Sequence, residues 1–165
     1  MGESVDDRRV EVHLRSLDET AHLAARLAAL LRPGDIVLLI GDLGAGKTTF
    51  TQYLAASLGV TEVVTSPTFT LMRHLPTTAG FTLLHLDAYR LHGPADYAEL
   101  GVDELVDDGG VAVIEWGDVV ADAVGPEHLD LRFTWEGAAA RSVTIAARGA
   151  EWQLRVGALA GTPPC

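Results

Sequence analysis

The stretch that most constrains the fold is GDLGAGKT at residues 41–48, which satisfies the pattern G-x4-G-K-[ST]. It follows the apolar run IVLLI at 36–40 and precedes a segment with helical periodicity. The pattern therefore predicts a buried strand, a phosphate-binding loop and a helix in succession. The glycines let the loop turn its backbone N–H groups inward, and the helix directs its positive end at the same anion. An incidental glycine-rich turn is the alternative, and the flanking strand and helix argue against it.

Lys47 is the only lysine among the 165 residues, and all other basic residues except histidine are arginines. In a phosphate loop the slim lysine ammonium reaches the β- and γ-phosphates as a point charge, which a broad planar guanidinium does less well. The hydroxyl of Thr48 is then the expected ligand of Mg²⁺. The motif predicts a site for a nucleotide and its metal ion.

The order of apolar patterns predicts an α/β fold, because strand-like runs and helical stripes follow one another as βαβαββαβββα. Runs at 63–75 and 81–91 flank the turn-forming PTTAG and resemble a hairpin, so we expect a mixed, partly parallel central sheet. A helix from Pro94 is expected to break near Gly101. The prediction is a three-layer P-loop NTPase fold in one domain over residues 1–165, with 1–8 and 160–165 as flexible tails.

Two acidic residues end strand-like runs: Asp87 closes LLHLD and Glu115 closes VAVIE. Ligands of α/β sheets bind at the carboxyl ends of the strands, and phosphoryl transfer needs carboxylates for the metal ion and the attacking group. We therefore predict that Lys47, Asp87 and Glu115 are catalytic. The spacing leaves open which carboxylate contacts the metal ion and which orients the attacking water.

Other residues allow two interpretations each. The segment 66–69, SPTF, is either a strand edge or bulge, or a loop that senses the nucleotide. His85 is more typical of a satisfied core histidine than of a ligand. Trp116 could stack on a base or fill the core, Arg90 could pair with phosphate or remain solvated, and Asp42 could be a loop acid or position water.

The composition limits the partners and the location. A net charge of −11 argues against autonomous binding of RNA or DNA, because phosphate neutralisation needs a basic face. The apolar runs are of strand length, and the first residues have no apolar stretch behind their charges, so we expect a cytoplasmic protein without a membrane span. A single cysteine, Cys165, permits no internal disulfide.

The motifs GDLGAGKTTF, SPTFTL, HLDAYRL and VIEWGD, in this order, resemble the TsaE family, the ATPase of bacterial tRNA threonylcarbamoyladenosine biosynthesis. The resemblance covers about residues 10–148. It implies a P-loop fold with a mixed sheet and an ATPase that is weak by itself and assembles with the TsaD and TsaB proteins. That assembly installs threonylcarbamoyl on adenosine 37 of tRNAs that read codons beginning with A. Hydrolysis of ATP would reset the assembly, and tRNA would be contacted only indirectly.

The resemblance also assigns residues. It implies that Thr48 and Glu115 are metal ligands, that Asp87 is the acid of an H-x-D-x-Y-R motif, and that Trp116 follows the family acid. Ala88 departs from a common leucine, and the alanines at 138–140 leave the register of a family arginine near Arg141 uncertain. The expected nucleotide-binding residues are Thr20, Gly41, Asp42, Leu43, Gly44, Ala45, Gly46, Lys47, Thr48 and Thr49.

Two other functions fit a phosphate loop. A small-molecule kinase would need an acceptor pocket and usually an arginine-bearing lid, and the sequence has no arginine-rich insertion. A binding module would use ATP only to order residues 65–75 for a partner, without turnover. The loop itself does not specify adenine over guanine; no guanine-reading N-K-x-D stretch is present, which favours ATP.

Overall fold

Seven strands form one mixed sheet in the computed structural model, which describes residues 8–42, 44, 46–65, 72–137 and 140–160. The strands are β1 (Arg9–Leu14), β2 (Ile36–Ile40), β3 (Met72–Pro76), β4 (Thr82–Asp87), β5 (Val111–Glu115), β6 (His128–Trp135) and β7 (Arg141–Arg148). Their order across the sheet is β1-β7-β6-β2-β5-β4-β3.

The middle of the sheet is parallel and its two sides are antiparallel. Strand β2 pairs in parallel with β5 and β6, and β5 pairs in parallel with β4. The pairs β3–β4, β6–β7 and β1–β7 are antiparallel. Every residue of β2 is buried, as expected for a central strand covered on both faces. The predicted mixed sheet is confirmed.

Five α-helices connect or follow the strands within the described residues: α1 (Leu17–Leu30), α2 (Lys47–Ser57), α3 (Pro94–Glu99), α4 (Val102–Asp107) and α5 (Ala150–Arg155). The Oγ of Ser16 caps α1 by accepting the backbone N–H of Glu19 at 3.2 Å. The helix predicted from Pro94 is divided into α3 and α4 at Gly101, whose φ of 70° lies in the left-handed region.

Two apolar clusters lie on opposite faces of the sheet. One joins α1, α2 and α5 to alternate residues of β2 such as Val37 and Leu39. The other joins α3 and α4 to the intervening residues, Ile36, Leu38 and Ile40. Because neighbouring side chains of a strand point to opposite faces, β2 supplies both clusters. The arrangement is a three-layer α/β P-loop fold, as predicted.

The ends of the chain are described only in part. The backbone N–H of Ala147 donates to the carbonyl of Arg8 at 2.9 Å, and a guanidinium N–H of Arg26 donates to the carbonyl of Ala160 at 2.8 Å. The rest of the two predicted tails and the segment 66–69 lie outside the described residues. Within those residues, every helix is too short or too polar to traverse a lipid bilayer.

Candidate functional site

The candidate site is a cleft in front of the first turn of α2, at the carboxyl ends of β2, β4 and β5. Because these three strands are mutually parallel, the residues that follow them meet at one edge of the sheet. The cleft has a volume of about 410 Å³. Seven residues predicted from the sequence line it: Gly44, Gly46, Lys47, Thr48, Thr49, Asp87 and Glu115.

The loop between β2 and α2 depends on left-handed glycines. Gly44 has a φ of 80°, and Gly46, which caps the N-terminus of α2, has a φ of 107°. A Cβ atom at Gly46 would lie 2.9 Å from Nε of Arg141, so a larger residue there would have to displace the Arg141 side chain in addition to adopting a left-handed backbone conformation. The predicted residues Leu43 and Ala45 lie outside the described residues.

Lys47 is only 5% exposed, and its ammonium lies within the loop. It donates hydrogen bonds to the backbone carbonyls of Gly41 and, at 3.1 Å, Asp42. The ammonium also lies 4.2 Å from the ring centroid of Trp116, within the range of a cation–π contact. Burial lowers the pKa of Lys47 below its usual value, although the carboxylates of Glu115, Asp118, Asp42 and Asp87 raise it in part.

The two predicted carboxylates come from neighbouring strands. In the β4–β5 pair, Asp87 lies directly opposite Glu115. Oε1 of Glu115 accepts a hydrogen bond from the hydroxyl of Thr48 at 2.8 Å, and Oε2 lies 2.5 Å from Nε2 of His85. Glu115 is 3% exposed, so both of its oxygens are held by protein groups inside the sheet edge.

Asp87 has a different environment. Its Oδ1 accepts the backbone N–H of Tyr89 at 2.9 Å, and its side chain is half-buried in the wall of the cleft. The structure thus distinguishes two carboxylates that the strand-end pattern alone treated alike. Glu115 is bonded to the phosphate-loop threonine, whereas Asp87 lies closer to solvent.

The donor set suits a small divalent cation. Thr48, Asp87 and Glu115 bring hydroxyl and carboxylate oxygens to one cleft, and Mg²⁺ prefers oxygen ligands and usually keeps several waters. Lys47 contributes a positively charged ammonium to the lining of the same cleft. The cleft therefore brings together a cation and the oxygen ligands that a phosphate chain and its metal ion require.

Three of the predicted residues that the structure describes do not line this cleft. Gly41 and Asp42 border a second groove of about 340 Å³, together with Arg132, Phe133, Thr134 and Trp135 of β6. Thr20 is buried in α1, and its hydroxyl donates to the carbonyl of Ser16 at 3.3 Å. The role of Thr20 beside a nucleotide base stays a prediction.

Among the described residues, three more line the cleft: Tyr89, Trp116 and Arg141. Trp116 is the only non-glycine residue with a positive φ, 58°, in the described part of the chain, and its ring lies 5.0 Å from that of Tyr89. Trp116 directly follows Glu115 in the sequence, and with this left-handed backbone conformation its indole lies over the ammonium of Lys47. The sequence allowed Trp116 to stack on a base or fill the core, and Tyr89 entered only as the tyrosine of the H-x-D-x-Y-R motif, without a role.

Arg141 opens β7 opposite Trp135, the last residue of β6, and its guanidinium lies 4.5 Å from the Trp135 ring centroid. This pairing gives the strand register of β6 and β7, and the match of Arg141 to the family arginine stays a prediction. Arg141 therefore brings a second cation to the loop, beside Gly46.

Comparisons with known proteins agree with these features. The family model described as "Threonylcarbamoyl adenosine biosynthesis protein TsaE" matches residues 14–143. A protein from Streptomyces coelicolor is 44% identical over 146 residues, which cover 84% of this chain and 98% of that protein. A protein from Bacillus subtilis is 36% identical over 137 residues, which cover 83% of this chain and 85% of that protein. Both are named tRNA threonylcarbamoyladenosine biosynthesis protein TsaE.

The fold has a close match among solved structures. A crystal structure of YdiB from Bacillus subtilis superposes with a TM-score of 0.80 at 31% sequence identity, covering 94% of this chain and 97% of that one. The resemblance seen in the sequence motifs is confirmed by both kinds of comparison. This chain belongs to the TsaE family, whose members take part in the biosynthesis of threonylcarbamoyladenosine in tRNA.

Proposed function

We propose that this chain is an Mg²⁺-dependent ATPase that acts in the cytoplasm with the TsaD and TsaB proteins. The modification it supports is N6-threonylcarbamoylation of adenosine 37 in tRNAs that read codons beginning with A. The observation that carries the proposal is the hydrogen bond of 2.8 Å between Thr48 and Glu115, which joins the phosphate loop to the acidic strand ends. This contact brings the metal-binding and phosphate-binding groups into one cleft.

The residues of the cleft have separate roles in this proposal. Backbone N–H groups of the loop and the ammonium of Lys47 bind the phosphates and neutralise the charge that develops during transfer. Thr48 and Glu115 would hold Mg²⁺ through their hydroxyl and carboxylate oxygens. Bound there, Mg²⁺ would supply positive charge that offsets the negative charge of the phosphates during transfer.

Asp87 is the candidate that orients the attacking water. Both oxygens of Glu115 already accept or face protein donors, whereas Asp87 is half-buried at the wall of the cleft and has one oxygen on the backbone of Tyr89. A carboxylate oxygen that accepts no hydrogen bond within the described part of the chain is better placed to accept one from water. Arg141 and Lys47 bring positive charge to the loop side of the same cleft.

The charge of the chain supports a role within an assembly. With a net charge of −11, the surface repels a phosphate backbone, so tRNA would be held by TsaD and TsaB. The chain would then contribute nucleotide turnover and protein contacts, and no basic groove of its own would be required.

The decisive experiment uses Lys47→Ala in the complete system of TsaB, TsaD, tRNA and ATP. We expect ATP hydrolysis and multi-round tRNA modification to fall by ~100-fold or more, because loss of one preorganised charged donor typically costs that much. The folded state should be retained, which circular dichroism and thermal unfolding check. Arg32→Ala is the matched control, because it removes one positive charge from an exposed pair with Glu151 at 3.7 Å.

Each rival function has its own outcome in this assay. Phosphate found on a metabolite instead of as free phosphate would identify a kinase. Normal multi-round modification by a folded Lys47→Ala variant that still binds ATP would indicate a binding module without required turnover. Either result would overturn the proposed ATPase role.

A further inference from the structure

His85 is a completely buried polar residue in β4, with 0% of its surface exposed. Its neighbours along the strand on both sides are leucines, so the local pattern resembles an ordinary core position. The side chain nevertheless faces the site, because residues 85 and 87 of β4 and residue 115 of β5 share the face covered by α2. Nε2 of His85 lies 2.5 Å from Oε2 of Glu115.

The hydrogen-bond network assigns the tautomer of His85. The Nδ1 atom is buried and has no hydrogen-bond partner among the described residues. A proton on Nδ1 would therefore leave an unpaired buried donor and direct the lone pair of Nε2 at a carboxylate oxygen. A proton on Nε2 instead forms a hydrogen bond to Glu115 and leaves only an acceptor unpaired.

Glu115 then receives one donor on each oxygen, Nε2–H of His85 on Oε2 and the hydroxyl of Thr48 on Oε1. Two donors from different elements prevent rotation of the carboxylate. Because the Thr48 proton is directed at Glu115, the lone pairs of its oxygen remain for another partner in the cleft. The orientation of the threonine therefore depends on the carboxylate, and the orientation of the carboxylate depends on His85.

We propose that His85 is a positioning residue of the Mg²⁺ site, which acts through Glu115 to hold Thr48 in the orientation that binds the metal ion. The inference rests on the Mg²⁺ site of the proposed function and deepens it. His85 contacts neither the nucleotide nor the metal ion in this role. A histidine donor suits this position because its ring is rigid and fits between leucines, while its N–H reaches the next strand diagonally.

The test compares His85→Leu with His85→Gln. Leucine fills the space without a donor, whereas the amide of glutamine can replace Nε2–H. The measured quantity is the Mg²⁺ concentration that half-saturates ADP binding in calorimetric titrations, with affinity for metal-free ADP as a second readout. We expect His85→Leu to raise the half-saturating concentration about 10- to 100-fold, the usual effect of losing a partner of a metal ligand. His85→Gln should recover most of this loss, and metal-free ADP affinity should change little.

Two additional variants isolate the route of the effect. In a Glu115→Gln background, His85→Leu should have little further effect on the Mg²⁺ requirement, because residues that act through one another are not additive. His74→Leu on the exposed side of β3 replaces another histidine and should leave the requirement unchanged. If His85→Leu does not fold, His85→Met takes its place in the comparison with His85→Gln.

The outcomes separate this inference from the function on which it rests. Absence of Mg²⁺-dependent ADP binding by the unmodified protein would overturn both. Normal Mg²⁺ dependence in the unmodified protein with no change in folded His85→Leu, or an undiminished effect in the Glu115→Gln background, would overturn the positioning role alone.

Discussion

Lys47 occupies a slot that suits a lysine better than an arginine. The ammonium lies against the carbonyls of Gly41 and Asp42 and under the indole of Trp116, at 4.2 Å from the ring centroid. A guanidinium is broader and would have to orient its plane within these three contacts. The single lysine of the sequence is thus explained by the shape of the loop as well as by its charge.

Gly46 permits a residue-scale prediction, because Gly44 provides a matched comparison. Both have left-handed φ values, 107° and 80°, which cost an alanine roughly 1–2 kcal/mol. Only at Gly46 would the new Cβ meet another side chain, Nε of Arg141 at 2.9 Å, whereas nothing in the described part of the chain lies within 4 Å at Gly44. Gly46→Ala should therefore lower the free energy of unfolding more than Gly44→Ala, as urea titrations can measure.

A double variant identifies the cause of this difference. When Gly46→Ala is combined with Arg141→Ala, the part of the lost free energy of unfolding that comes from the contact with the Arg141 side chain should be recovered. The part that comes from the left-handed backbone at residue 46 should remain. Equal losses for the two alanine variants, or strictly additive losses in the double variant, would contradict the close approach of Arg141 to the loop.

The β4–β5 pair explains how two separate motifs form one site. Alternation places His85 and Asp87 on the same face of β4, and the parallel register places Asp87 opposite Glu115. A shift of either strand by one residue would move its polar side chain to the face covered by α3 and α4. The leucines and valines of these strands therefore fix the site indirectly, because their burial fixes the register.

At the start of β6, His128 leads to a prediction about pH. Burial lowers the pKa of His128. The carboxylate of Asp130, 3.2 Å away, and the carbonyl of Gly125 raise it by more than burial lowers it, so the pKa of His128 lies above its usual value. A raised histidine pKa contributes stability below the unfolded value of about 6.5, and this contribution is lost as the pH rises through the folded pKa. Stability lost by His128→Gln should be larger at pH 5.5 than at pH 8.

Urea unfolding of the unmodified protein and of His128→Gln at pH 5.5 and pH 8 checks this expectation, and the titration of the His128 imidazole can be followed by NMR. Burial raises the pKa of Asp130, but His128 and Arg148 lower it by more than burial raises it. The pKa of Asp130 therefore lies below its usual value. The stability that Asp130 contributes is present above about pH 4 and is lost as the pH falls through the folded pKa. This loss lies below the range from pH 5.5 to pH 8 in which His128→Gln is compared. An equal loss at pH 5.5 and pH 8 would contradict the assignment to His128.

At the scale of the whole molecule, a buried ion pair joins distant parts of the chain. Arg155 of α5 donates two hydrogen bonds to Asp35, at 2.7 and 2.8 Å, and a third to the carbonyl of Leu30 at 2.8 Å. Its guanidinium also lies 3.8 Å from the ring centroid of Trp152. These contacts attach the last helix to the turn that leads into β2, the strand that carries the phosphate loop.

Arg155→Met should lower the free energy of unfolding by about 3–5 kcal/mol, because it leaves the buried carboxylate of Asp35 without its partner. Arg155→Lys should lose less, since it keeps the charge but not the paired geometry. Arg32→Met, in the exposed pair with Glu151, is the control and should have little effect. Urea titrations measure all three, and a loss for Arg155→Met as small as that of the control would contradict this role.

The sequence alone determined the local units of this protein. The phosphate loop, the strand and helix on either side of it, the hairpin around PTTAG and the acids that end β4 and β5 follow from patterns within a few residues, since periodicity and turn chemistry are local. The family resemblance was equally accessible, because it depends on motifs in order. These features were sufficient to predict the α/β class, the mixed sheet and most of the residues that line the cleft.

Only the tertiary structure decided how those units meet. The bond from Thr48 to Glu115, the partner of His85 and the approach of Arg141 to Gly46 all join residues far apart in sequence. Each depends on strand order and register, which are set by burial over the whole sheet and not by any short segment. For this reason the strand-end pattern proposed two equivalent carboxylates and a core histidine, whereas the folded chain holds Glu115 between Thr48 and His85 and leaves Asp87 beside solvent.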